Sequence, residues 1–130
     1  MKKFILLGFF FASLFANMGF INQDNPKDSP IVFNRYSHNF DTMVRGQSAN
    51  AYFTCINNSD TTLIIENIET SCGCMVPNYP NEPIPAHDST VIKIKFDSSR
   101  KKTGNYFSII GVYTNQGLFE LAIKAYIKLN

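Results

Sequence analysis

The residues best suited to chemistry in this chain are Cys72 and Cys74, one residue apart in Thr70-Ser71-Cys72-Gly73-Cys74. In an extended segment, positions i and i+2 face the same way, so both sulfurs project together. That arrangement suits a thiolate metal clamp, a strained redox disulfide or a packed structural pair, and the motif alone leaves all three open. As a metal site, two thiolates on one face are the ligand type that selects Cu(I) or Zn(II). Met75 adds a soft thioether, on the opposite face if the strand is regular. His87, beyond a proline-rich stretch, completes a candidate metal set of Cys72, Cys74 and His87. Two thiolates satisfy linear Cu(I), whereas structural zinc normally takes four ligands. Only Cys55, His38 and His87 remain as further strong donors, so copper is the ion to consider.

The disulfide candidates are Cys55, Cys72 and Cys74. Extended geometry separates the Cα atoms of Cys72 and Cys74 by ~6.6 Å, near the upper limit for a bridge. A local bend at Gly73 brings them closer, and the resulting bridge is expected to be easily reduced. Cys55 paired with either one makes a more ordinary link between strands. Three cysteines are an odd number, so one thiol is free, liganded or intermolecular. The plain structural account, packing or a stabilising bridge, is preferred because strong thiolate motifs come with more ligands.

The other chemically capable residues read blandly. His38 sits in the polar stretch Tyr36-Ser37-His38-Asn39-Phe40, expected between strands. His87 is followed by Asp88, but sequence neighbours in a strand diverge. Glu66 and Glu69 fall on different faces of a regular strand and make no glycosidase-type pair. No nucleophile motif and no phosphate-cradling glycine loop is visible. The expectation is that the chain is not an enzyme.

Those residues need elements to hold them. Lys2 and Lys3 precede the apolar run from Phe4 to Ala16, which is the pattern of a secretory signal peptide. Asn17 stops the run short of the ~20 apolar residues that span a bilayer. We expect a signal helix over 1–19, cleaved near 16–19. Membrane contact arises only if that segment persists uncleaved. A flexible polar leader over 20–30 carries Pro26 and Pro30. The formal charge of +2 comes from Lys2 and Lys3, leaving ten basic against ten acidic residues. A neutral mature domain gives no reason to expect nucleic acid.

From residue 31 to 130 the apolar residues recur with period two. Phe119, Leu121, Ile123, Ala125 and Ile127 alternate with mostly polar neighbours, as do Ile92, Ile94 and Phe96. Ala51, Phe53 and Cys55 share one face, Leu63-Ile64-Ile65 follows, and Tyr106 to Thr114 is apolar on both faces. Asn57-Asn58-Ser59-Asp60, the proline-rich segment Pro77 to Pro83, and Asn115-Gln116-Gly117 separate the runs. The spacing predicts an all-β, immunoglobulin-like sandwich of about seven strands with Greek-key wiring.

On these residues the chain resembles the DUF1573 family of exported bacterial domains of unknown function. The resemblance lies in Phe40 and Gly46, Phe53-Thr54-Cys55-Ile56-Asn57, and Leu63-Ile64-Ile65 leading into Ser71-Cys72-Gly73-Cys74 and Val76-Pro77. It continues through Phe96-Asp97-Ser98, Gly104, Val112-Tyr113-Thr114-Asn115 and Leu121 to Ile127. It implies a PapD/ASH-like sandwich, an exported location, and Tyr106, Ile110 and Val112 on the inner face. Cys55 stands where an aromatic or large apolar residue is usual, so it is expected to be a buried small hydrophobe. Pro85-Ala86-His87 replaces a Pro-Gly turn, and Ala125 replaces a frequent glycine.

The functional expectation is a periplasmic or secreted binding or structural module whose partner is another envelope protein or component. The first alternative is copper binding or redox sensing at Cys72 and Cys74. The second is carbohydrate binding on exposed tyrosines such as Tyr79, Tyr113 and Tyr126.

Overall fold

Period-two alternation builds eight strands in the computed structural model, which describes residues 29–130. They are β1 (Ile31–Phe33), β2 (Ser37–Val44), β3 (Ser48–Asn57), β4 (Ile65–Thr70), β5 (Met75–Asn78), β6 (Ser89–Asp97), β7 (Gly104–Thr114) and β8 (Gly117–Lys128). One sheet has the order β1-β3-β6-β5 and the other β2-β8-β7-β4. The domain is therefore an all-β, immunoglobulin-like sandwich. The expected signal helix lies outside the described residues.

Each central strand turns one face inward. Ala51, Phe53 and Cys55 on β3 meet Ile92, Ile94 and Phe96 on β6, all with no exposed surface. From the other sheet come Ile110 and Val112 on β7 and Leu121, Ile123 and Ile127 on β8. At ~1.5–3 kcal/mol for each large apolar side chain, this layer is the main source of stability. The inner face of β7 carries Tyr106, Ile110 and Val112, as the family register implies. Asn115 and Gln116 form the two-residue turn between β7 and β8, where Thr114 pairs with Gly117. Gly117 takes a φ of 118°, which a side chain would resist.

Three local expectations are corrected. The stretch around His38 is not a link between strands but part of β2, which pairs in parallel with β8. A bulge between Asn39 and Thr42, with Asp41 at φ 58°, breaks the alternation that would have marked it. The second correction concerns Pro77, which lies inside β5 at the edge of its sheet, where a missing N–H need not interrupt the ladder. Finally, β4 begins at Ile65, with Leu63 making a separate bridge to Ile84. A bulge after Ile65 lets Ile65 and Ile68, three apart, both point inward.

Candidate functional site

Cys72 and Cys74 do not lie in an extended strand. The chain leaves β4 at the edge of one sheet and enters β5 at the edge of the other, and residues 71–74 make the bend between them. Thr70 fixes that bend from below, its hydroxyl donating to the carbonyls of Cys72 (3.1 Å) and Met75 (3.2 Å). The Met75 amide closes onto the Cys72 carbonyl at 3.3 Å. The Asp97 amide donates to the Cys74 carbonyl at 2.8 Å, tying the bend to the end of β6. Ser71 and Ser108 share a hydroxyl–hydroxyl bond across to β7.

In this bend the Cα atoms of Cys72 and Cys74 are 5.2 Å apart and the two sulfurs are bonded to each other. The extended separation is thus shortened by a turn. Gly73 is not among the residues with left-handed backbone, and a Cβ added there would meet nothing within 4 Å. Met75 is buried in the core.

The bonded sulfurs, half-buried, open on a cleft of 460 Å³ lined by Cys72, Gly73, Cys74, Asp97, Ser99, Arg100 and Lys101. The Tyr106 hydroxyl reaches them from β7, 3.4 Å from Cys72 Sγ and 3.6 Å from Cys74 Sγ. Its ring stacks on Phe96 with centroids 5.1 Å apart, and the Lys101 ammonium lies 4.5 Å over its centroid. The hydroxyl of Ser99 (2.6 Å) and its amide (2.9 Å) both donate to Asp97 Oδ1 and hold that carboxyl below the usual range. The cleft therefore combines a disulfide, two cations and one carboxylate. The sequence reading missed Tyr106 in this role, although an inward-facing tyrosine needs a partner for its hydroxyl.

The structure does not bring His87 to the cysteines. Cys74 meets the end of β6 at Asp97, while His87 precedes its start. Nine residues of strand at ~3.3 Å each put about 30 Å between them. His87 instead pairs its Nε2 with Asp60 Oδ1 at 3.0 Å, on the surface. It takes the positive φ of its turn itself, at 63°, sparing Ala86. Cys55 is also apart, fully buried between the sheets, and that burial pushes its thiol up to about 11. Among the described residues no group of three or more His, Cys, Asp and Glu side chains is placed to hold a metal ion. His38 stacks edge-on against Phe40 and accepts from the Arg35 guanidinium at Nδ1, 3.0 Å away.

A second feature is the outward face of β7 and β8. Phe107, Ile109 and Tyr113 project there from β7, beside Leu118, Ala122 and Tyr126 of β8. Phe107 is 58% exposed and Leu118 51%. The register sets Phe107 against Lys124, Ile109 against Ala122, Gly111 against Glu120 and Tyr113 against Leu118, so charged side chains are interspersed among the apolar ones. Lys124 lies between Ala122 and Tyr126, Glu120 between Leu118 and Ala122, and Glu69 of β4, with Glu120, holds the Tyr113 hydroxyl above its ordinary pKa. Tyr113 and Tyr126 sit toward opposite ends of this face, and Tyr79 lies beyond β5, half-buried against the core.

A family model described as "Protein of unknown function (DUF1573)" matches residues 31–127. No curated protein matches the chain by sequence. A protein of unknown function from Porphyromonas gingivalis W83 superposes with a TM-score of 0.66 at 16% identity, covering 74% of this chain and 46% of its own. The chain thus spans about half of that protein. The ASH/PapD-like domain 7 of human CEP192 gives 0.66 at 10% identity, covering 84% of this chain and 92% of its own. The periplasmic chaperone SfaE gives 0.50 at 15% identity, covering 77% and 58%. Identities this low speak to the fold alone.

Proposed function

Since the chain belongs to the DUF1573 family of proteins of unknown function, we propose that it is an exported, non-enzymatic binding module of the cell envelope. Its partner is another envelope protein, seated on the outward face of β7 and β8. The observation that carries this reading is the gathering of Phe107, Ile109, Tyr113, Leu118 and Tyr126, each at least 38% exposed, on one sheet face among Glu120 and Lys124. Exposed apolar side chains scattered singly need no explanation, but several gathered on one sheet face mark an interaction surface. Aromatic residues give such a surface large contact area at little entropic cost. Lys124 and Glu120, set among the apolar side chains, add orientation, so a matching surface carries acidic groups opposite Lys124 and basic groups opposite Glu120. A disulfide near the surface accords with an oxidising compartment outside the cytoplasm.

The test places a photo-crosslinking side chain at Ile109 or, on the opposite sheet, at Tyr52, in the producing cell. A discrete adduct at Ile109, absent at Tyr52 and abolished by Phe107→Glu, supports the reading. Equal labelling at both positions sinks it.

A further inference from the structure

Disulfides that serve as staples join segments distant in sequence, because the entropy removed from the unfolded chain grows with the loop closed. Cys72 and Cys74 are separated by two positions and enclose only Gly73. The peptide chain already crosses between the sheets at this bend, and Thr70, Met75 and Asp97 fix it with hydrogen bonds. The bridge is therefore a poor staple for the fold. Its surroundings suit a different role.

We propose that Cys72–Cys74 is a thiol–disulfide exchange site that accepts two electrons from an external dithiol, with Tyr106 as the positioning residue. Three observations carry this. The half-buried sulfurs open on the 460 Å³ cleft, and the space beside Gly73 is empty. The Tyr106 hydroxyl lies within 3.6 Å of both sulfurs, so it can donate to whichever one departs. Arg100 and Lys101 line the same cleft, and neighbouring cations favour a thiolate over a thiol.

The exchange runs in two displacements. One thiolate of the external dithiol attacks Sγ of Cys72 or Cys74, and the Cys72–Cys74 bond breaks. The departing sulfur leaves with the bonding pair as a thiolate, held by the Tyr106 hydroxyl, and takes a proton from solvent. The second thiolate of the dithiol then attacks its own partner sulfur in the mixed disulfide. That step releases the remaining cysteine, which is protonated in turn. The dithiol ends as a disulfide, and Cys72 and Cys74 end as two thiols. A leaving sulfur of low basicity departs faster, which is the advantage the phenol and the cations confer. The buried Cys55 has no access to this cleft, so the electrons come from outside the chain.

The test uses the folded protein and dithiothreitol, without denaturant, followed by alkylation and intact mass. The expected product carries two alkyl groups, retains the circular dichroism of the sandwich, and returns to the bridged form in oxidised dithiothreitol. In Tyr106→Phe, which keeps the ring on Phe96, reduction should slow by about tenfold, the scale of a hydrogen bond to a charged group. Alkylation that appears only after unfolding would overturn the proposal. A Tyr106→Phe protein reduced as fast as the parent would overturn it equally.

Discussion

The side-chain amide of Asn57 donates to the main-chain carbonyl of Ile84, 3.1 Å away and 27 residues on in sequence. The same nitrogen lies 2.9 Å from the Thr61 carbonyl and 3.1 Å from that of Pro85, while its oxygen accepts from the amide and hydroxyl of Ser59. Asn57 is fully buried. One asparagine thus stands in for the ladder where β3 gives way to two loops, and every polar atom it brings inside is satisfied.

Replacing Asn57 with Ala or Leu strands those carbonyls in the interior. Each buried unsatisfied group costs about 1–3 kcal/mol, so a loss of about 2–4 kcal/mol is expected from Asn57→Leu. Urea denaturation monitored by circular dichroism measures it. A midpoint unchanged within error would show that these bonds are dispensable.

Gly73 gives the opposite expectation. It occupies the tightest part of the cysteine bend, yet its backbone is not left-handed and the space beside it is open. Gly73→Ala should change stability by less than about 0.5 kcal/mol and leave Cys72 and Cys74 bonded. Non-reducing intact mass together with thermal melting checks both halves of this statement.

His38 should make stability depend on mild acid. Partial burial first, and the nearby Arg35 guanidinium second, lower its pKa below 6.5, with Asp41 opposing. Between that lowered value and 6.5 the unfolded chain binds more protons than the folded one. Stability therefore falls as pH drops through this window and is regained above it. Melting temperatures at about pH 7.5 and 5.5, compared between the parent and His38→Gln, isolate the contribution. Parallel curves for the two proteins would remove His38 from the account.

Cys55 should resist alkylation in the folded protein. It has no exposed surface, and burial lifts its thiol from 9.0 to about 11. Iodoacetamide at neutral pH is expected to label it only after unfolding. The raised value also means that the contribution of the neutral thiol is intact below 9.0 and is lost as pH climbs through about 11. Rapid labelling of the native protein would contradict the packing described for β3.

What the sequence made legible follows from period two. Where a strand is buried on one face, as at Ile92, Ile94 and Phe96 or Leu121 to Ile127, alternation alone picks out the core. It fails where a bulge resets the count, which hid β2 at Asp41 and allowed Ile65 and Ile68 to share a face. The cysteine motif was legible as chemistry but not as shape. Its bend is set by hydrogen bonds to Thr70, to the end of β6 and across to β7, none of which a local pattern can reveal. Tyr106 joins the sulfurs from 32 and 34 residues away, so only the folded sheets bring the three together. His87 failed to join them for a reason just as simple: the length of β6 intervenes.

The parallel pairing of β2 with β8 also sets an order of events. β8, last of the eight strands, is an interior strand of its sheet and holds β2 on one side and β7 on the other. A chain emerging from its N-terminal end, from a ribosome or through a membrane pore, offers β2 no neighbour in that sheet until residues beyond Leu121 have arrived. Closure of so long a loop is entropically slow, and contacts so distant in sequence belong to slow-folding topologies. The inner faces of β3 and β6 must wait through that interval with half their cover missing. Vectorial delivery of this chain therefore ends in one late, cooperative closure instead of strand-by-strand assembly.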